Sequence, residues 1–297
     1  ISVLITAILK GDQSAKGSAC IALGGMGEKA ATHEVIAALM ALTMDQDQNT
    51  LVKENACRAL GMIGRKPRNP EAVSALKTIL QDQHLNETIR ASACYALGEI
   101  DQETVTKEVI NVWVDMLGDE SSSVKTAVCN VLGEMDRNSA TDEIILKLQT
   151  VFLKGKQSVK ESVCEALEKM GEKAARYDVI GTLVVAFMDR NQDERLKRRV
   201  CRTLGKMGEK AAQDNVIDAL LTMLTDPNQS VWLKHTVCEI LGKMSEKVAQ
   251  DNVISALLTA FSKGSESVKK SACKTLGEMG EKAAQDNVIG ALLTTLT

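Results

Sequence analysis

The cysteines of this 297-residue chain recur at a nearly constant spacing, and this constrains the fold more than any other feature. They stand at positions 20, 57, 94, 129, 164, 201, 238 and 273, so successive gaps are 35 or 37 residues. A period of this length is typical of a helix pair that stacks on its neighbours. Equivalent positions on stacked helices lie about 8–10 Å apart, whereas a disulfide needs Cα atoms within about 7 Å. We therefore predict free thiols that serve as small buried core residues.

Two apolar patterns keep register with the cysteines and predict the two helices of each repeat. Ala or Val precedes each cysteine, Leu follows three residues later, and Met or Ile follows six residues later. These positions share one face of a helix, which we call helix B. A second pattern, helix A, begins sixteen residues after the cysteine with Ile or Val and continues with Leu three residues further on. Trp113 replaces this Leu in one repeat, so we expect its ring to lie in the core.

The connector from helix B to helix A is repeated almost without change. The stretch GEKAAQDNVI occupies residues 208–217 and 280–289, and SEKVAQDNVI occupies 245–254. Gly at the first position suits the left-handed conformation that ends many helices. Such repetition indicates that each repeat meets the next in the same way.

The composition supports an all-α fold and narrows the environment. Aromatic residues make up only 2% of the chain and proline occurs three times, which favours helices with an aliphatic core. A net charge of −3 gives no global signature of nucleic-acid or acidic-membrane binding. No apolar run approaches the roughly 18 residues that span a bilayer. Free thiols favour a reducing compartment, so we expect a cytoplasmic protein, with the nucleus as the alternative.

The helix B pattern, for example SVKESVCEALEKMGEKA at 158–174, resembles the HEAT repeat. A basic residue stands four positions before every cysteine, and Gly follows the helix B Leu in seven of eight repeats, with Glu168 as the departure. The resemblance covers essentially the whole chain. It implies an all-α fold: a right-handed α-solenoid (superhelix) of about eight HEAT-like helical hairpins, with the B helices on its concave side. We expect residues 1–297 to form a single array that is a fragment of a longer one.

HEAT arrays serve as scaffolds, transport receptors, regulatory subunits and occasionally enzymes, so the resemblance alone does not decide the function. We expect a non-catalytic scaffold or sensor that binds another protein or a peptide on its concave surface. Two alternatives stay open: a module that binds a polyanion (phosphate or nucleic acid), and a HEAT-type enzyme such as a lyase or hydroxylase. Nucleic acid is the less favoured partner, and no membrane partner is expected.

Catalysis has little support in the sequence. The three histidines lie in different repeats, and HEAT-like hydroxylases carry repeated His-Glu pairs, whereas this chain has a single pair at His33 and Glu34. No Cys-x-x-Cys, phosphate-binding loop or Ser/His/Asp set stands out. We therefore expect no catalytic residue, no metal and no cofactor.

The exposed stripe of helix B should comprise the residues three before, one after and five after each cysteine. These positions differ between repeats, as the residues of a binding surface would, and in the sixth repeat all three are basic. The alternative is a solvated face with i,i+4 pairs to glutamates. The basic residue four before each cysteine is interpreted as structural. The candidate partner-binding residues are Arg198, Arg202, Lys206, Trp232, His235, Lys270, Lys274 and Tyr95.

Overall fold

The computed structural model describes residues 1–65, 69–100, 106–135, 140–244, 248–286 and 288–290, and within these ranges the regular structure is entirely helical. The odd-numbered helices are the predicted A helices, and the even-numbered helices are the predicted B helices. Their bounds are α1 (Ser2–Lys10), α2 (Gln13–Met26), α3 (His33–Met44), α4 (Thr50–Gly64), α5 (Pro70–Gln81), α6 (Glu87–Glu99), α7 (Lys107–Met116), α8 (Ser122–Glu134), α9 (Asp142–Lys154), α10 (Gln157–Met170), α11 (Tyr177–Met188), α12 (Glu194–Lys206), α13 (Asp214–Thr225), α14 (Val231–Lys243), α15 (Asp251–Lys263) and α16 (Glu266–Glu278).

The chain divides into two compact units, Ile1–Val163 and Cys164–Thr297, with the division inside α10. In the first unit the B helices α2, α4, α6 and α8 pack on one another in sequence order, and the A helices α1, α3, α5 and α7 do the same. In the second unit α12, α14 and α16 form the B layer, and α11, α13 and α15 form the A layer. The A helices α1, α3, α5, α7, α11, α13 and α15 also pack on the B helix that follows each of them. The single array over 1–297 stays a prediction.

The core contains the positions that the repeat pattern of the sequence predicts to be buried. Seven of the cysteines are buried and Cys273 is half-buried, and all eight are free thiols. Burial raises the pKa of Cys57 and Cys129 to about 12, because desolvation penalises the thiolate. Trp113 is fully buried in α7, which confirms its predicted place in the core. The seven buried cysteines therefore act as apolar core residues.

Glycine ends the B helices where the connector requires a backbone reversal. Gly208 and Gly280 have φ of 62° and 61°, as the repeated connector predicts, and each begins a short 3-10 helix. A side chain would be strained at these angles, so glycine is preferred there. Residue 245, which begins the third copy of the connector, lies outside the described residues.

The glycine that follows the helix B Leu has a packing role. A Cβ placed on Gly61 in α4 would lie 3.0 Å from both the Cβ and the carbonyl oxygen of Ala96 in α6. This distance is too short for an ordinary carbon contact. The Leu-Gly pair therefore lets neighbouring B helices approach closely.

The basic residues four positions before each cysteine, which we call the basic column, lie at the edge of the B layer, as their structural interpretation predicts. None of its eight members is exposed. Arg90 is 4% exposed and forms a buried ion pair with Asp119 in the α7–α8 loop, while its Nε donates to the carbonyl oxygen of Leu80 at 3.0 Å. Lys16 donates from Nζ to Oε1 of Gln48 at 3.1 Å. At these two positions the column joins a B helix to a loop of the next repeat.

Candidate functional site

The eight candidate residues lie on the outward face of the B helices, which we call the B face. Tyr95 belongs to α6 in the first unit. The other seven belong to α12, α14 and α16 in the second unit. Because the B helices of each unit pack side by side, the stripe positions of neighbouring repeats are adjacent within a unit. The structure thus brings the second-unit candidates onto one face of that unit.

On α12 the three basic candidates differ in their environment. Arg198 is half-buried, and its Nε lies 3.9 Å from Oε1 of Glu194 one turn earlier. Arg202 and Lys206 are exposed, and no carboxylate of the described residues lies within ion-pair distance of either. One of the three positive charges expected on this helix is therefore locally compensated, and the two nearer its C-terminus are not.

Acidic residues also reach the B face beside α12. Glu165 in α10 receives two cations, with Nη1 of Arg199 at 3.3 Å and Nζ of Lys169 at 3.6 Å. Exposed ion pairs of this kind contribute about 0–1 kcal/mol each to stability. Their main consequence is electrostatic: they reduce the net positive potential next to the stripe.

On α14 His235 makes contacts with the neighbouring helix. Its Nδ1 hydrogen bonds with the hydroxyl of Ser271 in α16 and lies 3.5 Å from the hydroxyl of Ser267. Its Nε2 lies 3.7 Å from Oε1 of Glu239. The half-buried His235 ring therefore joins α14 to α16. Both of its nitrogens have neighbours within the chain, so the ring is less available to a partner than the sequence prediction assumed.

Trp232 is the most exposed aromatic candidate. It lies in the first turn of α14 with 65% of its surface exposed, and its ring meets the His235 ring edge-on at 6.3 Å between centroids. The adjacent Val231 is 45% exposed. Large exposed apolar side chains are typical of protein-binding positions, and Trp is the residue most enriched among energetically dominant ones.

On α16 the two lysines also differ. Nζ of Lys274 lies 3.5 Å from Oε1 of Glu278 one turn later, whereas Lys270 is exposed and forms no ion pair with any residue that the structure describes. The uncompensated cations of the second-unit stripe, among the described residues, are therefore Arg202, Lys206, Lys243 and Lys270. They alternate with acids, so the basic patch is interrupted rather than continuous.

Tyr95 lies in a groove that the sequence prediction did not include. The groove has a volume of about 340 Å³ and is lined by Glu54 and Arg58 of α4 and by Tyr95 and Glu99 of α6. Tyr95 is 42% exposed, and its hydroxyl accepts a hydrogen bond from Nδ2 of Asn130 at 3.0 Å. Glu54, Arg58 and Glu99 occupy the same three stripe offsets, so the offset rule already contained the signal. A search for basic residues overlooked a mixed-charge groove.

The described residues contain neither a candidate metal-binding cluster nor a candidate membrane-spanning helix. No group of three or more His, Cys, Asp and Glu side chains there is placed to hold a metal ion. His33 pairs with Glu71 through its Nδ1, at the surface between α3 and α5. None of the described helices combines the length and hydrophobicity needed to cross a bilayer.

Stacked two-helix hairpins with a continuous B layer define each unit as an array of the α-solenoid class. Residues 1–97 match the family model of HEAT repeats. The match covers about a third of the chain, and the similar solved structures described below confirm the predicted all-α solenoid fold class. No curated protein sequence matches the chain.

Solved structures similar to this chain extend the likeness over its full length. Importin beta aligns with 99% of this chain and 45% of its own, at 18% identity and a TM-score of 0.68. Kap121p, crystallised bound to Ste12p, aligns with 100% of this chain and 35% of its own, at 14% identity and a TM-score of 0.68. YibA of Escherichia coli aligns with 94% and 92%, at 13% identity and a TM-score of 0.66. The chain thus spans less than half of importin beta and about a third of Kap121p.

Proposed function

We propose that this chain is a non-catalytic protein-interaction module whose B face binds a segment of another protein. The observation that carries the proposal is the contrast between two sets of positions on the same helices. The buried positions of helix B are nearly invariant from repeat to repeat, whereas the exposed stripe changes in charge and shape. Invariant core positions maintain the stack, so the variable ones are available for recognition.

The side chains on the B face suit a protein partner. Tyr95 and Trp232 offer large exposed rings, and Arg202 offers an uncompensated guanidinium. Tyr, Trp and Arg are the residues most enriched among those that dominate binding energy. The similar Kap121p was crystallised with a bound protein, Ste12p, which supports a protein partner for this fold. Eight free thiols support the cytoplasm or the nucleus as the compartment.

Site-specific photo-crosslinking tests this proposal. We would place p-benzoylphenylalanine at position 95, 202 or 232 on the B face, and at position 177 or 185 on the A helix α11 as controls. Tyr177 and Val185 are 79% and 72% exposed, so the controls are at least as accessible as Trp232. We expect one defined protein to crosslink from B-face positions only. Equal crosslinking from α11, or crosslinking from α11 alone, would exclude the B face as the binding surface.

Polyanion binding is the second candidate, because Arg202, Lys206 and Lys270 are exposed without a carboxylate partner among the described residues. Such binding depends on released counterions and weakens steeply between about 50 and 200 mM salt. We would measure the anisotropy of a labelled single-stranded oligonucleotide with the native chain and with the double variant Arg202→Glu/Lys206→Glu. Loss of binding in the variant and at high salt supports this candidate, and no binding by the native chain at low salt excludes it.

A further inference from the structure

The stripe of the B face carries opposite charge in the two units. On α2, α4, α6 and α8 the three stripe offsets hold one basic residue and three acids, namely Arg58, Glu54, Glu99 and Glu134. On α12, α14 and α16 the same offsets hold six basic residues and two acids, namely Arg198, Arg202, Lys206, Lys243, Lys270, Lys274, Glu239 and Glu278. The whole chain has a net charge of −3, so the positive stripe of the second unit does not simply reflect the composition.

The positive charge of this stripe remains when its ion pairs are counted. Both acids have a basic neighbour, because Glu278 lies 3.5 Å from Lys274 and Glu239 lies 3.7 Å from His235. The exposed cations without a carboxylate within ion-pair distance, among the described residues, are Arg202, Lys206, Lys243 and Lys270. A carboxylate from a partner could therefore pair with these cations without breaking an existing pair.

Three of these cations lie together where α12 packs on α14. Burial raises the pKa of the Cys201 thiol, and Arg202 and Lys243 both act against that rise, whereas Glu239 adds to it. Two cations on neighbouring helices that act on one thiol lie close to each other. Lys206 follows Arg202 by four residues and thus lies one turn further along α12. We call Arg202, Lys206 and Lys243 the cationic cluster.

An exposed aromatic ring lies on the same side of α14 as Lys243. Trp232, with 65% of its surface exposed, precedes Lys243 by eleven residues. Eleven residues correspond to about three helical turns, or about 16 Å along the axis. An extended chain advances about 3.3 Å per residue, so about five residues would separate a group on Trp232 from a group on Lys243.

We propose that the second unit binds an extended acidic segment of a partner protein. Its carboxylates contact the cationic cluster, and an apolar residue about five positions away contacts Trp232. This inference rests on the proposed function, since it names the chemistry of the partner at the same B face. Arg202 can donate two parallel N–H bonds to one carboxylate. Nucleic acid fits less well, because its phosphates repeat evenly along the strand whereas Glu239 and Glu278 interrupt the stripe.

The test measures the fluorescence anisotropy of a labelled peptide that contains one Phe, a four-residue Gly-Ser spacer and three Glu. One matched peptide has Gln in place of each Glu, and another has Ala in place of Phe. We expect saturable binding of the Glu peptide to the native chain at low salt, weaker binding as salt screens the charges, and no saturable binding of the Gln peptide. The Ala peptide should bind about tenfold more weakly, because it lacks the contact with Trp232.

Variants of the chain locate the site. Arg202→Gln/Lys243→Gln should weaken binding of the Glu peptide about tenfold, since two ion pairs are lost. The control Lys154→Gln/Lys263→Gln removes the same charge from exposed lysines at the ends of the A helices α9 and α15, and it should bind like the native chain. Trp232→Ala should weaken binding of the Phe-containing Glu peptide and leave binding of the Ala peptide unchanged, as expected of two groups in contact.

The inference is overturned by no binding of the Glu peptide, by equal binding of the Gln peptide, or by native affinity in Arg202→Gln/Lys243→Gln. Tighter binding of an oligonucleotide of equal charge overturns it in favour of the polyanion candidate. The comparison of the Glu and Gln peptides uses the native chain, so it decides the matter even if a variant fails to fold. A defined crosslink from the B face without peptide binding overturns this inference and retains the proposed function, whereas crosslinking from α11 alone excludes the proposed function.

Discussion

Replacing Gly61 by Ala tests whether the Leu-Gly motif exists for close helix packing. The new Cβ would lie 3.0 Å from the Cβ and the carbonyl oxygen of Ala96. Because that oxygen is backbone, relief requires α4 and α6 to separate rather than a side chain to rotate. Overpacking of this kind costs about 1–3 kcal/mol.

Gly277→Ala is the matched control, because Gly277 occupies the same motif position in α16 and a Cβ there meets no atom of the described chain within 4 Å. Both substitutions gain helix propensity, up to about 1 kcal/mol each. This gain cancels in the comparison, so Gly61→Ala should be about 1–3 kcal/mol less stable than Gly277→Ala.

Urea unfolding followed by far-UV circular dichroism measures this difference. Because repeat arrays can unfold in segments, hydrogen exchange of α4 and α6 would show whether the loss is local. We expect faster exchange there in Gly61→Ala and unchanged exchange in α16. The packing argument fails if Gly61→Ala is as stable as Gly277→Ala.

Three further predictions concern buried charges and thiols. Asp119→Asn leaves the buried Arg90 without its counter-ion and should cost about 3–5 kcal/mol of unfolding free energy, measured by urea titration; a loss below about 1 kcal/mol would contradict the buried pair. The pKa values of Asp45, Asp119 and Asp226 are lowered below the usual value of about 4. Their ionised carboxylates therefore contribute fully to the free energy of unfolding above that pH, and the contribution is lost as the pH falls through the folded-state pKa. The urea midpoint should therefore fall in acid below about pH 4, and a midpoint independent of pH there would be inconsistent with these shifts. In the native chain a thiol reagent should modify half-buried Cys273 first and the seven buried cysteines only on unfolding; early modification of Cys57 would contradict its burial.

The sequence was sufficient for everything that depends on periodicity. Leu, Met and Cys at offsets of three and four residues share a helix face, so the B helices, the buried thiols and the place of Trp113 could all be predicted without coordinates. The connectors with Gly208 and Gly280 were predictable for the same reason, because glycine marks the left-handed end of a helix. The offsets one and five residues after the cysteine also identified positions that are mostly exposed. The offset three residues before it was wrong as a marker of exposure, because Gly17, Ala91 and Glu161 are buried there and only Lys270 is exposed.

The tertiary structure decided which charges have partners. His235 contacts Ser271, thirty-six residues away, and Glu165 contacts Arg199, thirty-four residues away, whereas Lys197 contacts no acceptor among the described residues. The sequence pattern treats equivalent positions of the basic column as alike, so it does not distinguish the environments of Lys16, Arg90 and Lys197. Their environments differ because the partner of such a side chain belongs to a loop of the next repeat, as when Lys16 donates to Gln48 and Arg90 pairs with Asp119. Local periodicity thus determines the helices and their buried faces, while contacts between repeats determine which exposed charges are paired.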